Sequence, residues 1–156
     1  MGKRTIAVLL LIVFCLSACQ KGQQLVFDDL QLTLPETYIN LSSEDYAADA
    51  DFLYGNEGLI LLGFAENRAD LNDCTLAAYT ELLILGNDLG CIPEQTNFGY
   101  RFSYEAPVED EYYIYEVGIY ASQDRFWTIQ CYCLAEDHPR YTEEIARIFD
   151  SIQILS

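Results

Sequence analysis

The chain has 156 residues, of which 25 are Asp or Glu, eight are Lys or Arg and one is His, for a formal charge of −17. Such a polyanion lacks the basic face that phosphate binding needs, which excludes nucleic acid as a partner. With 12 tyrosines, eight phenylalanines and an apolar content of 51%, it also has too much to bury to be a disordered acidic segment.

Met1-Gly2-Lys3-Arg4 forms a basic head, and the apolar run 6–16 that follows gives way at Ser17 to the polar stretch 20–24. This is the layout of a secretory signal peptide, and the run is too short for a transmembrane helix, which needs about twenty apolar residues. Its end, Leu16-Ser17-Ala18-Cys19, resembles the lipobox of bacterial lipoproteins. The resemblance implies that diacylglycerol alkylates the Cys19 thiol, that cleavage follows Ala18, and that Cys19 becomes an acylated N-terminus open to palmitate labelling. An ordinary cleaved signal with Cys19 as a bystander is the alternative, but Leu16 stands where such a site wants a small residue. Cys15 belongs to the apolar core.

On the lipobox reading, residues 1–18 are signal peptide, 19–24 a lipidated tether and 25–156 a single α+β domain. The expected location is the extracytoplasmic face of the cell membrane, within the cell envelope. Each buried methylene contributes about 0.8 kcal/mol, so two or more acyl chains hold the protein stably. Past residue 18 six basic residues face all 25 acids, a formal charge of −19. Anionic lipid repels such a domain, with screening limiting the repulsion to about 8 Å. The plain reading of the charge is a solvated surface; the alternative is a site for a cation or a basic partner.

Along the domain, residues 25–34 alternate with Leu30, Leu32 and Leu34 on one side until Pro35, which predicts an opening strand. Residues 51–55 and 58–65 predict a strand pair joined through Asn56-Glu57, and the second strand, apolar on both sides, belongs inside its sheet. Asp73 is a candidate cap for a helix over 75–87, where Leu76, Tyr79 and Leu83 share a face that Leu82, Ile84 and Leu85 widen. Residues 98–105, 112–121 and 125–134 predict three strands; their short polar links, one of them the acidic stretch around Pro107, argue for an antiparallel meander. Pro139 opens a last helix, with Asp137 near its cap and Tyr141, Ile145, Ile148, Phe149 and Ile152 as its apolar stripe. The fold class is α+β, a mostly antiparallel sheet flanked by helices.

That element order, with Leu34-Pro35-Glu36-Thr37-Tyr38, the strand pair in 51–66, the helix over 75–83 and the closing Ile145-Ala146-Arg147-Ile148-Phe149-Asp150-Ser151-Ile152, resembles the PsbP/Mog1-like superfamily over residues 30–154. The resemblance implies an α/β/α sandwich, usually a non-enzymatic binding or assembly part, with secreted bacterial members often lipoproteins. Photosynthetic members assist a manganese and calcium cluster and another branch binds a small GTPase. None of their working residues matches a position here.

Four cysteines remain in the domain, Cys74, Cys91, Cys131 and Cys133. Cys131 and Cys133 sit two apart on a strand, about 6.6 Å between Cα atoms, near the upper limit for a mutual bridge. A disulfide from Cys74 or Cys91 to one of them is one reading, and buried free thiols behaving as small hydrophobes are the other. A four-cysteine zinc site lacks the usual C-x-x-C knuckles, and no redox C-x-x-C occurs. His138, read as an exposed loop residue, is the single available histidine base, with no nucleophile motif around it. No phosphate-cradling glycine motif is present, and Asp49-Ala50-Asp51 fails as a calcium loop because Leu53 stands at a ligand position. No catalytic residue, metal ligand or cofactor site is assigned.

Tyr112, Tyr113, Tyr115 and Tyr120 fall on one strand, with Tyr100, Phe102 and Tyr104 on its expected neighbour. Most such residues cover the sheet; those facing outward make a candidate surface for protein or glycan contact. The expected function is a membrane-anchored, non-catalytic binding or assembly module with a protein partner. The alternative is a metal-binding or carboxylate-dependent envelope enzyme.

Overall fold

Two acidic residues make the first turn in the computed structural model, which describes residues 22–42 and 49–155. Asp28, at φ 48°, and Asp29 join β1 (Gly22–Phe27) to β2 (Leu30–Pro35) as an antiparallel hairpin rather than one opening strand. Apolar alternation is the same in one strand as in two that fold back on each other, and Asp-Asp is not among the Gly-containing turn signatures. β1 also takes in Gly22, Gln23 and Gln24 from the expected tether, because the Gln23 amide donates to the carbonyl oxygens of Pro35 (3.2 Å) and Tyr38 (2.7 Å). The signal-like residues 1–18 and Cys19 lie outside the described residues.

The chain continues through β3 (Ile39–Asn40), β4 (Phe52–Gly55), β5 (Ile60–Asn67), a 3-10 turn (Arg68–Leu71), α1 (Leu76–Gly86) and β6 (Glu94–Gln95). The meander β7 (Gly99–Val108), β8 (Glu111–Ala121) and β9 (Arg125–Leu134) follows, then α2 (His138–Asp150) and β10 (Gln153–Ile154). Seven strands form one sheet in the order β3-β4-β5-β9-β8-β7-β6, and β1-β2-β10 form a second; the pairs are antiparallel. β5 lies between β4 and β9 with Leu61 and Leu62 both buried, as its two-sided apolarity requires.

Each face of the large sheet has its own core. On one, α2 and the small sheet pack Leu30, Leu32, Leu34, Ile145, Ile148 and Phe149 against Trp127, Ile129, Cys131 and Cys133 of β9. On the other, α1 packs Tyr79 and Ile84 onto Phe102, Val117, Ile119 and Phe126. The period of two along a strand sends alternate residues of β9 to opposite layers. Gly118 admits α2 to the sheet: a Cβ there would lie 2.6 Å from the Phe149 ring, so the bare backbone lets that ring rest on β8.

The start of α1 departs from expectation. Thr75 caps α1, its Oγ1 accepting from the Ala78 amide at 3.2 Å, while Asp73 sits at φ 49° in the loop before it. Leu82 (59% exposed) and Leu85 (77%) do not widen the buried face; at about 100° per residue they point to solvent, opposite Tyr79, Thr80 and Ile84. α2 keeps Tyr141, Ile145, Ile148 and Phe149 of its expected stripe, with Ile152 buried just past its end, and has Pro139 in its first turn. Among the described residues no helix is long and apolar enough to cross a membrane.

Candidate binding face

Two tight turns set the register of the meander and thereby place the tyrosines. Glu109, at φ 55°, and Asp110 close β7 onto β8 so that Tyr104 faces Tyr115, and the turn through residues 122–124 closes β8 onto β9 so that Tyr115 faces Tyr132. Three rings from three strands therefore stand side by side. Tyr104 and Tyr115 stack with centroids 4.8 Å apart and planes 3° apart, and Tyr115 and Tyr132 stack at 5.1 Å and 26°. Tyr113 closes the row edge-on to Tyr132 at 6.2 Å, and its hydroxyl donates to Glu111 at 3.2 Å. Cross-strand aromatic pairs of this kind contribute about 0.5–1.5 kcal/mol each beyond their buried area.

These rings lie on the α1 side of the sheet but past the end of the helix. α1 stops at Gly86, and Asn87 turns back to close it, its side-chain amide donating to the Leu83 carbonyl at 2.8 Å. Beneath this end is a cavity of about 110 Å³ between Leu83, Asn87 and Leu89 above and Phe102, Tyr104, Thr128 and Gln130 below. At roughly 30 Å³ per molecule, that is room for a few waters or one small polar group. Burial pushes the Tyr104 phenol up to about 12, with further contributions from Tyr115 and Cys91; burial raises the Tyr115 phenol too. The row is thus a half-buried aromatic platform in which the Tyr104 and Tyr115 phenols stay neutral at physiological pH. Deeper under α1, the Tyr79 hydroxyl donates to Glu66 and lies 3.1 Å from Thr128 Oγ1, a satisfied polar trio.

The four tyrosines singled out from β8 do not make one surface. Tyr113 and Tyr115 belong to the row, whereas Tyr112 and Tyr120 point to the opposite side of the sheet. There Tyr112 is 57% exposed and Tyr120 is buried in the α2 core at 5%. Tyr132, the third member of the row, escapes a reading by strand composition because it is the lone tyrosine of β9; turn length and pairing parity are the signal that finds it.

Among the described residues the four cysteines are free thiols. Cys131 and Cys133 are buried on the α2 side, while Cys74 and Cys91 pack against the α1 core, so the sheet itself separates the partners of the bridge and the arrangement matches the other reading, free thiols. The same division keeps the four from forming one zinc site, and among the described residues no three His, Cys, Asp or Glu side chains converge as a metal-binding group. His138 is not an exposed loop residue: it opens α2, half-buried, with Nε2 3.0 Å from Oε1 of Glu116 on β8. On that same side Tyr38 donates to Glu144 at 2.6 Å, tying the segment after β2 to α2, and the Arg101 guanidinium lies 4.2 Å over the Phe149 ring.

The sheet order and the helix on each side can be compared with known structures. The chain superposes on the solution structure of cyanobacterial PsbP from Synechocystis with a TM-score of 0.52 and 8% identity, over 86% of this chain and 93% of that one. The fold is PsbP-like. The crystal structure of LpqN, involved in cell envelope biogenesis of Mycobacterium tuberculosis, shares this PsbP-like fold at a TM-score of 0.55 and 10% identity, over 87% of this chain and 91% of that one. A crystal structure from Bacteroides thetaiotaomicron matches at 0.57 and 12% identity over 86% of this chain; it is a longer protein, of which this chain spans 49%. At such identities the likeness is one of fold and carries no residue roles across. By sequence, no family model and no curated protein matches.

Proposed function

We propose that the chain is a lipid-anchored, extracytoplasmic binding or assembly module of the cell envelope that engages a protein partner and performs no catalysis of its own. The observation that carries this reading is the row Tyr104, Tyr115 and Tyr132, a mutually stacked aromatic platform on the seven-stranded sheet that α1 stops short of covering. Tyrosines held by their neighbours lose little freedom on binding, which makes them good contact residues. LpqN, with the same fold, is involved in envelope biogenesis, which favours the same compartment. If Cys19 is acylated, the start of β1 at Gly22 keeps the domain within about 11 Å of the lipid, at no more than about 3.6 Å per residue.

Two measurements test it. Labelled palmitate should enter the wild-type chain and not Cys19→Ser, and globomycin should shift the mobility of the wild type alone; incorporation that survives Cys19→Ser removes the anchor. A photo-crosslinker at position 115 should trap one protein in intact cells, a control at the exposed position 124 should not, and Tyr104→Ser with Tyr132→Ser should abolish the adduct. Equal trapping from both positions, or substrate turnover by the purified chain, refutes the module.

A further inference from the structure

The outer edge of β7 is open. On its inner side all ten residues of β7 pair with β8. On its outer side, among the described residues, β6 pairs only with Tyr100 and Arg101, which leaves the edge from Phe102 to Val108 without a strand.

Parity shows which groups that edge presents. Val108 and Glu111 flank a two-residue turn and so exchange both backbone hydrogen bonds, and bonded and non-bonded pairs alternate from there. Ala106, Tyr104 and Phe102 therefore turn their amides and carbonyls to β8, and the odd-numbered residues turn theirs outward. The Gly99 carbonyl agrees, accepting from the Thr96 amide on the outer side at 2.8 Å. Ser103 and Glu105 each offer an outward N–H and C=O, and Pro107 a C=O alone.

We propose that this edge accepts a strand from a basic, extended segment of a protein partner in which Lys or Arg alternates with apolar residues. This rests on the binding-module reading and names the partner's chemistry. Charge decides the occupant. The edge runs between Glu94, Glu116 and Arg101 at one end and Glu109, Asp110 and Glu111 at the other, with Glu105 in its middle, six carboxylates against one guanidinium in a chain of charge −17. A second copy would bring like charge against like, and Pro107 removes a donor; such features guard a sheet edge against its own kind. The same guard attracts a cationic strand.

The pleat gives the pattern. A residue opposite Tyr104 points to the tyrosine side and extends the row by a fourth ring or aliphatic group, while the residues opposite Ser103 and Glu105 point to the acidic side. Next to Ser103 a hollow of about 330 Å³ is lined by Glu94, Glu116 and Arg101, two carboxylates against one guanidinium.

The test uses the full chain with three acetylated, amidated heptapeptides: KVKYKVK, EVEYEVE, and KVKYKVK with N-methyl groups on the amides that would face β7. Amide exchange at Ser103 and Glu105 should slow about tenfold with the first peptide and not with the other two. Protection should be lost in Glu105→Lys, and also in Ser103→Pro, whose missing N–H costs no bond to β8. No protection by the basic peptide, or equal protection by its N-methylated twin, overturns the proposal. Crosslinking from position 115 that persists in Glu105→Lys, in the absence of any peptide protection, would leave the module standing and remove the edge.

Discussion

Replacing Tyr115 by leucine keeps an apolar, strand-compatible side chain while deleting the ring that stacks on both Tyr104 and Tyr132. The near-parallel stack with Tyr104, 4.8 Å between centroids, gives a coupling of about 0.5–1.5 kcal/mol for that pair. The tilted stack with Tyr132 adds a second contribution of the same order, so Tyr115→Leu should cost about 1–3 kcal/mol. A double-mutant cycle isolates the first term: Tyr104→Leu, Tyr115→Leu and the double variant, each unfolded in urea, with the cost of the double falling short of the sum of the singles by that coupling. In a domain of this size the same energies appear as roughly 3–6 °C in Tm per kcal/mol. Tyr112→Leu, an exposed position outside the row, is the control and should stay within about 0.5 kcal/mol of wild type. Strictly additive single variants would mean that the three rings share a surface without supporting one another, and the rigidity on which the platform rests would be gone.

Two further outcomes follow from groups shifted by burial. Tyr104 is raised from an ordinary 10.0 to about 12, so its contribution is complete below pH 10 and is lost as pH rises through 12; for a half-buried phenol, screening reduces this to about 1 kcal/mol. The fall of Tm between pH 10 and 12 should be shallower in Tyr104→Phe, and an unchanged slope would contradict the assignment. Burial, followed by Asp137 and Glu116 nearby, raises the Cys133 thiol to about 11, and burial raises Cys131 as well. At pH 8 neither should react with a disulfide reagent until guanidinium unfolds the chain, and a reductant should not change the thiol count; a count that rises on reduction would restore the bridge.

The elements that sequence made legible are those long enough to show a period. α2 has its apolar stripe at helical spacing with Asp137 and Pro139 at its start, and the ten- and eleven-residue strands of the meander have short polar links, so both are readable. β3, β6 and β10 have two residues each, and two residues carry no periodicity. The β1–β2 turn is hidden because Asp28 takes a positive φ usually left to Gly or Asn. At the site, composition draws attention to β8, whereas pairing parity decides which of its tyrosines meet. The same parity splits Cys131 and Cys133 from Cys74 and Cys91, which a count of cysteines does not reveal.

The single tryptophan has a consequence for watching this molecule work. Trp127 is 1% exposed, tilted against Phe52 at 6.3 Å, and its indole N–H reaches out of the large sheet to Asp29 in the β1–β2 turn at 2.7 Å. The lone indole thus straddles the seam between the two sheets. The N-terminal hairpin cannot part from the large sheet without breaking that bond, so the emission colour of one residue reports whether the two sheets stay docked.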